Sequence, residues 1–267
     1  MGSARLDAAV ASRGLARSRT HAARLIANGY VRVDGVPVVK SSALVNDEQS
    51  VTVDSVDRYV SRGAKKLIGA LDAFDGVRVE GRLALDAGAS TGGFTQVLLE
   101  RGARQVLAVD VGHEQLDPII ARDPRVVSVE GFNLRYATPE TLAGASGVSD
   151  APELVVADLS FISLALVLPP LQAVARPDAD FVLLVKPQFE VGRTGIKEGI
   201  VRNAALRADA VANVLWAGFD LGLSTAGMIP SPIAGTAGNQ EYLVWFNRDV
   251  GSHPTEWLQR ITEMTGA

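Results

Sequence analysis

Apolar residues recur at helical spacing near the start of the chain, where Leu6, Ala9, Val10 and Leu15 form one face and Ala22, Ala23, Leu25 and Ile26 another. The pattern predicts two short helices, the second capped by Ser18 and ended at Asn28-Gly29. Tyr30–Val33, a turn at Asp34-Gly35 and Val36–Val39 then predict a small hairpin, with another short strand at Val51–Val53. Beyond a polar joint over 55–62 the pattern changes, and apolar runs alternate with helical periodicity. A helix over 64–74 leads into a strand at Arg82–Asp86, a glycine-rich turn and a helix through Leu99. Further strands are predicted at Gln105–Asp110, Val126–Glu130, Leu154–Ala157, Phe181–Val185, more weakly Thr225–Met228, and Tyr242–Phe246. Helices are predicted over 115–121, 162–174 and 204–221. This alternation implies an α/β fold, a mostly parallel seven-stranded sheet covered on both faces, preceded by a small α+β head.

Composition narrows the chemistry. The 267 residues are 47% hydrophobic and 21% charged, as in ordinary globular chains. With no cysteine, the chain has no disulfides, thiolate metal sites or cysteine nucleophile. The three histidines, His21, His113 and His253, are too scattered to suggest a metal cluster, and no metal is expected. His113 and His253 read as surface residues. The most apolar stretch, Leu164–Ala175, is short and contains Pro169 and Pro170, so no membrane segment is expected. Without a signal-like start, the expectation is a cytoplasmic protein.

The net charge of −4 argues at first against a nucleic-acid partner, but it conceals a gradient. Residues 1–66 hold eleven bases and six acids, a surplus of five that leaves −9 to the remainder. A basic head on an acidic body raises the question of what the head binds.

The stretch Leu85-Asp86-Ala87-Gly88-Ala89-Ser90-Thr91-Gly92-Gly93-Phe94 carries the clearest chemical signal. A strand ends beside an acid, glycines let the backbone turn, and a helix begins at once, placing a ligand at the carboxyl end of the first strand. Asp110 ends the next strand and suits two ribose hydroxyls. The spacing is not the G-x-G-x-x-G of dinucleotide sites, nor is it a phosphate loop. An acid before the first glycine, here Asp86, can instead face the charged amino and sulfonium end of S-adenosylmethionine. Asp158 and Lys186 end later strands, Glu241 precedes the last one, and Lys66 lies on the helix before the first. Strand ends in an open α/β sheet converge on one crevice, where these four could meet.

Those two lysines, Asp and Glu resemble the K-D-K-E tetrad of FtsJ-type ribose 2′-O-methyltransferases. "VSRGAKKL", "LDAGASTGGFT", "ADLSFISL", "LVKPQFE" and "GNQEYLVW" resemble the TlyA (hemolysin A) family within that group. The head, from "RLDAAVASRGLARSR" through "LIANGYVRVDG", is similar to the S4-like RNA-binding domain that opens such proteins. The resemblance implies a Rossmann-like class I methyltransferase that uses S-adenosylmethionine to methylate cytidine 2′-hydroxyls of ribosomal RNA, in 30S and 50S subunits, as a monomer. It implies an S4-like domain over 1–59, a linker over 60–63 and a methyltransferase domain over 64–267. Lys66, Asp158, Lys186 and Glu241 become the catalytic set, with Lys186 either removing the hydroxyl proton or stabilising the alkoxide. Asp86, Gly88, Ser90, Gly92, Gly93, Asp110 and Asn133 become cofactor contacts, Asn133 toward adenine. Arg5, Arg17, Arg19, Lys40, Arg62 and Lys65 become RNA contacts. The alternatives are a membrane-active hemolysin and a non-catalytic RNA-binding assembly factor.

Overall fold

Two short helices supply most of the apolar face of the head. The computed structural model describes residues 3–16, 18–53, 59–192, 196, 198–235 and 237–267, and the chain divides into two units, 1–62 and 63–267. The first unit runs β1 (Ala4–Arg5), α1 (Leu6–Ser12), α2 (Arg19–Ala27), β2 (Val31–Val33), β3 (Val36–Pro37), β4 (Leu44–Val45) and β5 (Val51–Val53). Ser18 caps α2, its hydroxyl accepting the His21 N–H at 3.1 Å. The β2–β3 turn has positive φ at both Asp34 and Gly35, the left-handed pair that matches the twist of a two-residue hairpin. Strands β3-β2-β5 form one small sheet and β1-β4 another pair. Leu6, Val10, Ile26 and Val31 are fully buried between helices and strands.

The second unit continues with α3 (Ala64–Ala73), β6 (Leu83–Ala87), α4 (Gly93–Glu100), β7 (Gln105–Val109), α5 (Pro118–Ala121), β8 (Val126–Val129), α6 (Pro139–Ser146), β9 (Leu154–Ala157), α7 (Leu164–Val174) and β10 (Asp180–Val185). It closes with α8 (Pro187–Glu190), α9 (Ala204–Asp220), β11 (Ser224–Pro230), β12 (Tyr242–Asn247) and α10 (Leu258–Thr265). Seven strands lie in the order β11-β12-β10-β9-β6-β7-β8. Six run in one direction, and β12 runs antiparallel to both its neighbours. Every residue of β6, β9 and β10 is buried, as expected for strands covered on both faces.

The expected helix over 115–121 is shorter, because Asp117 accepts the Ile119 N–H and Pro118 occupies the first helical position, so α5 starts there. The weak strand at Thr225–Met228 proves to be seven residues long, with a register shift beside Gly227. Away from the cavity described below, Asp180 at the start of β10 accepts from Arg82, Trp245 and Asn247, so its buried charge is fully engaged. The chain lays down β6, β7 and β8 in one direction and returns to β9 on the other side of β6. That reversal opens a crevice at the carboxyl ends of β6 and β9.

Candidate functional site

The turn after β6 is shaped by what it must avoid. Gly88 has φ 85, and a Cβ there would stand 3.0 Å from the Asp158 carbonyl oxygen and 3.1 Å from Leu159 Cδ2. Only glycine lets β6 and the loop after β9 approach so closely. Gly92, at φ 91, starts α4; its Cβ would stand 2.8 Å from Leu116 Cδ1. Asp110 draws the same turn inward: Ser90 N–H donates to Oδ2 and Gly112 N–H to Oδ1, each at 2.8 Å. Each oxygen keeps a lone pair for a further donor. The crevice holds a cavity of about 360 Å³, with Gly88, Ser90, Asp110, Asn133, Asp158 and Ser160 in its lining.

Asp86 behaves differently from the expectation. It is fully buried and does not line the cavity, and Thr95 donates to its Oδ2 at 2.6 Å. Burial pushes its carboxyl up to about 7, and its Oδ1 has no protein donor among the described residues. Gly92 and Gly93 likewise build the helix start rather than the lining. Thr95 escaped the sequence reading; it stands nine residues after Asp86, in the first turn of α4.

Beside the cavity, four charges alternate. Lys66, in the first turn of α3, is only 6% exposed. Its Nζ lies 2.6 Å from Glu241 Oε2 and 3.7 Å from Asp158 Oδ2. Lys186, where β10 ends, has its Nζ 2.6 Å from Asp158 Oδ1, a contact whose angles fall outside hydrogen-bonding range. The same nitrogen donates to Ser160 Oγ at 2.9 Å and lies 5.8 Å from the centre of the Phe189 ring. Gln188 donates to Glu241 Oε1 at 3.3 Å. The run Glu241–Lys66–Asp158–Lys186 is thus neutral in sum, with each buried charge matched by a neighbour. Ser160 and Gln188 were not singled out in the sequence, since nothing in their spacing marks them.

The expected RNA residues fare unevenly. Arg5 makes two hydrogen bonds of 3.1 Å to Asp7, and Arg19 Nη2 lies 3.2 Å from the same carboxylate. The Arg5 hydrogen bonds hold the Asp7 carboxyl down at about 2. Lys40 and Lys65 are exposed and Arg62 is half-buried, while Arg17 lies outside the described residues. His113 is exposed, as expected. His253 is not simply a surface residue: it is half-buried, edge-on to Trp216 and Phe219 with centroids 5.1 and 4.5 Å away, and caps the following turn. Among the described residues no helix is long and apolar enough to cross a membrane.

Comparison with known proteins bears on this geometry. The FtsJ-like methyltransferase family pattern matches residues 59–248, and the S4 domain pattern matches residues 4–51. The 16S/23S rRNA (cytidine-2′-O)-methyltransferase TlyA of Mycobacterium tuberculosis is 52% identical over 245 residues, 91% of this chain and 89% of its own. Hemolysin A of Brachyspira hyodysenteriae is 39% identical over 243 residues, 91% of this chain and 99% of its own. A solved chain from Streptococcus thermophilus that goes by the hemolysin name has 36% identity and a TM-score of 0.75, covering 100% of this chain and 97% of that one. With this coverage at this identity, the chain belongs to the TlyA family of FtsJ-like methyltransferases and opens with an S4 domain.

Proposed function

We propose that the protein methylates the ribose 2′-hydroxyl of cytidines in ribosomal RNA, with S-adenosylmethionine as donor, in both 16S and 23S rRNA within 30S and 50S subunits. The observation that carries this reading is the Glu241–Lys66–Asp158–Lys186 run beside a cavity whose floor is the Gly88 turn. The residues fit the cofactor. Gly88 brings the backbone itself to the cavity wall, and Asp110 offers two oxygens to a ribose diol. Ser90 and Asn133 border the same space, and Asp86, Gly92 and Gly93 shape the turn. When bound, the cofactor supplies a methyl group on a sulfonium that departs as a neutral thioether.

The protein must align and activate the acceptor. Lys186 has its nitrogen next to the cavity and, in the neutral form reached when its ammonium has released a proton to solvent, removes the hydroxyl proton as the oxygen forms its new bond. Asp158 holds Lys186, and Lys66, fixed by Glu241, holds Asp158, so the nitrogen is placed before substrate arrives. On this reading, residues 1–59 form the RNA-binding domain, 60–63 a linker and 64–267 the methyltransferase domain of a cytoplasmic monomer. Arg5, Arg17, Arg19, Lys40, Arg62 and Lys65 meet RNA phosphates.

Transfer of label from S-adenosylmethionine to unmodified 30S and 50S subunits tests the proposal. The expected outcome is 2′-O-methylcytidine in both, with Lys186→Ala slower by about 10²–10⁴-fold. Label in neither subunit, or on a base, overturns it.

A further inference from the structure

The segment after β9 presents two side chains to one nitrogen. Asp158 Oδ1 lies 2.6 Å from Lys186 Nζ, and Ser160 Oγ accepts from the same atom at 2.9 Å. Asp158 and Ser160 are two residues apart, and Phe161 follows at φ 65, a left-handed conformation uncommon for a bulky residue. Ser160 is exposed and lines the cavity beside Asp158. Such strain beside a reactive group marks a place where the chain's path is set by function.

An amine that is to accept a proton has two N–H bonds and one lone pair. A single acceptor leaves the group free to turn about the Cε–Nζ bond. Here Ser160 Oγ takes one N–H as a hydrogen-bond acceptor, and the negative Asp158 carboxylate 2.6 Å away disfavours a lone pair on its own side, so the lone pair is turned away from both. We propose that Ser160 is a positioning residue that aims the lone pair of Lys186 at the ribose hydroxyl, an inference that rests on Lys186 as the proton acceptor. The proton passes from the ribose oxygen to Nζ, and Ser160 ends the reaction with the same hydrogen it began with. Its hydroxyl accepts from the lysine, so its own O–H is left to donate toward the sugar.

Ser160→Ala, Ser160→Thr and Lys186→Ala test this with labelled S-adenosylmethionine and unmodified subunits. Loss of one aligning hydrogen bond is expected to lower kcat of Ser160→Ala about tenfold. The subunit KM, the cofactor affinity by titration calorimetry and the thermal midpoint stay as in the wild type. Ser160→Thr, which keeps the hydroxyl, restores most of kcat. An unchanged kcat in Ser160→Ala overturns the inference. So does a loss that appears in cofactor affinity or KM, or a threonine variant no better than alanine. If Lys186→Ala keeps the wild-type rate, the reading of Lys186 itself fails. If Lys186→Ala is inactive while Ser160→Ala is unimpaired, only the role of Ser160 fails.

Discussion

Each unit of the chain sets an aspartate between two cations, and the two arrangements are inverted. In the head, the Asp7 carboxylate is 9% exposed while the Arg5 and Arg19 side chains are 49% and 59% exposed. In the body, Lys66 and Lys186 are 7% and 10% exposed while Asp158 is 21% exposed. The head therefore hides its acid and presents its bases, as a surface does that meets a polyanion. The body hides its bases and keeps an acid between them. Residue choice follows: arginine keeps its charge and offers a planar fork, whereas a lysine can give up its proton and so do acid–base chemistry.

The largest break in this contrast is expected from Glu241→Gln. It removes the nearest counter-charge of a buried lysine, and such a change costs about 3–5 kcal/mol. The expected outcome is a clear drop in the urea midpoint read by tryptophan fluorescence, with methyl transfer lost alongside. An unchanged midpoint would show that Glu241 does not hold Lys66 in place.

Acid titration sharpens the contrast, because Asp86 and Asp7 are shifted in opposite directions. Asp86 is raised to about 7 by burial, so the folded body keeps a proton that the unfolded chain releases near pH 4. Its contribution is full below about pH 4 and is lost as pH rises toward 7. At about 1.4 kcal/mol per unit of separation, Asp86→Asn is expected to be more stable at pH 8 by a few kcal/mol, with that slope gone. Asp7 is lowered to about 2, so its contribution is present above about pH 4 and is lost as pH falls through 2. Denaturation of wild type, Asp86→Asn and Asp7→Asn across pH 2–8 checks both signs.

The smallest stability effect belongs to Arg19→Ala. An exposed pair contributes about 0–1 kcal/mol, so the melting curve is expected to stay nearly unchanged. Subunit binding weakens, and its dependence on log salt falls by about one. An unaltered salt slope would remove Arg19 from the RNA-facing set.

The sequence made the body's sheet readable because its strands are continuous apolar runs, as in Leu154–Ala157 and Phe181–Val185. The tetrad was readable as residue types at strand ends, but its distances were not. That Lys66 is buried depends on Glu241, far along the chain. The reach of Arg19 to Asp7 and the insertion of His253 against Trp216 are tertiary facts with no local signal. Helix α6 was missed although Thr138-Pro139 at its start is a cap followed by a first-turn proline. The two-residue strands β1 and β4 are too short for any alternation to show.

The hydrogen bond between Lys66 and Glu241 joins residues 175 apart in the chain. Closing so long a loop costs chain entropy that contacts made elsewhere offset. A chain still emerging from its own synthesis holds Lys66, Asp158 and Lys186 but not yet Glu241. Until Glu241 arrives Lys66 lacks its nearest counter-charge, so the formed pair doubles as a record that α3 and the segment before β12 have come together.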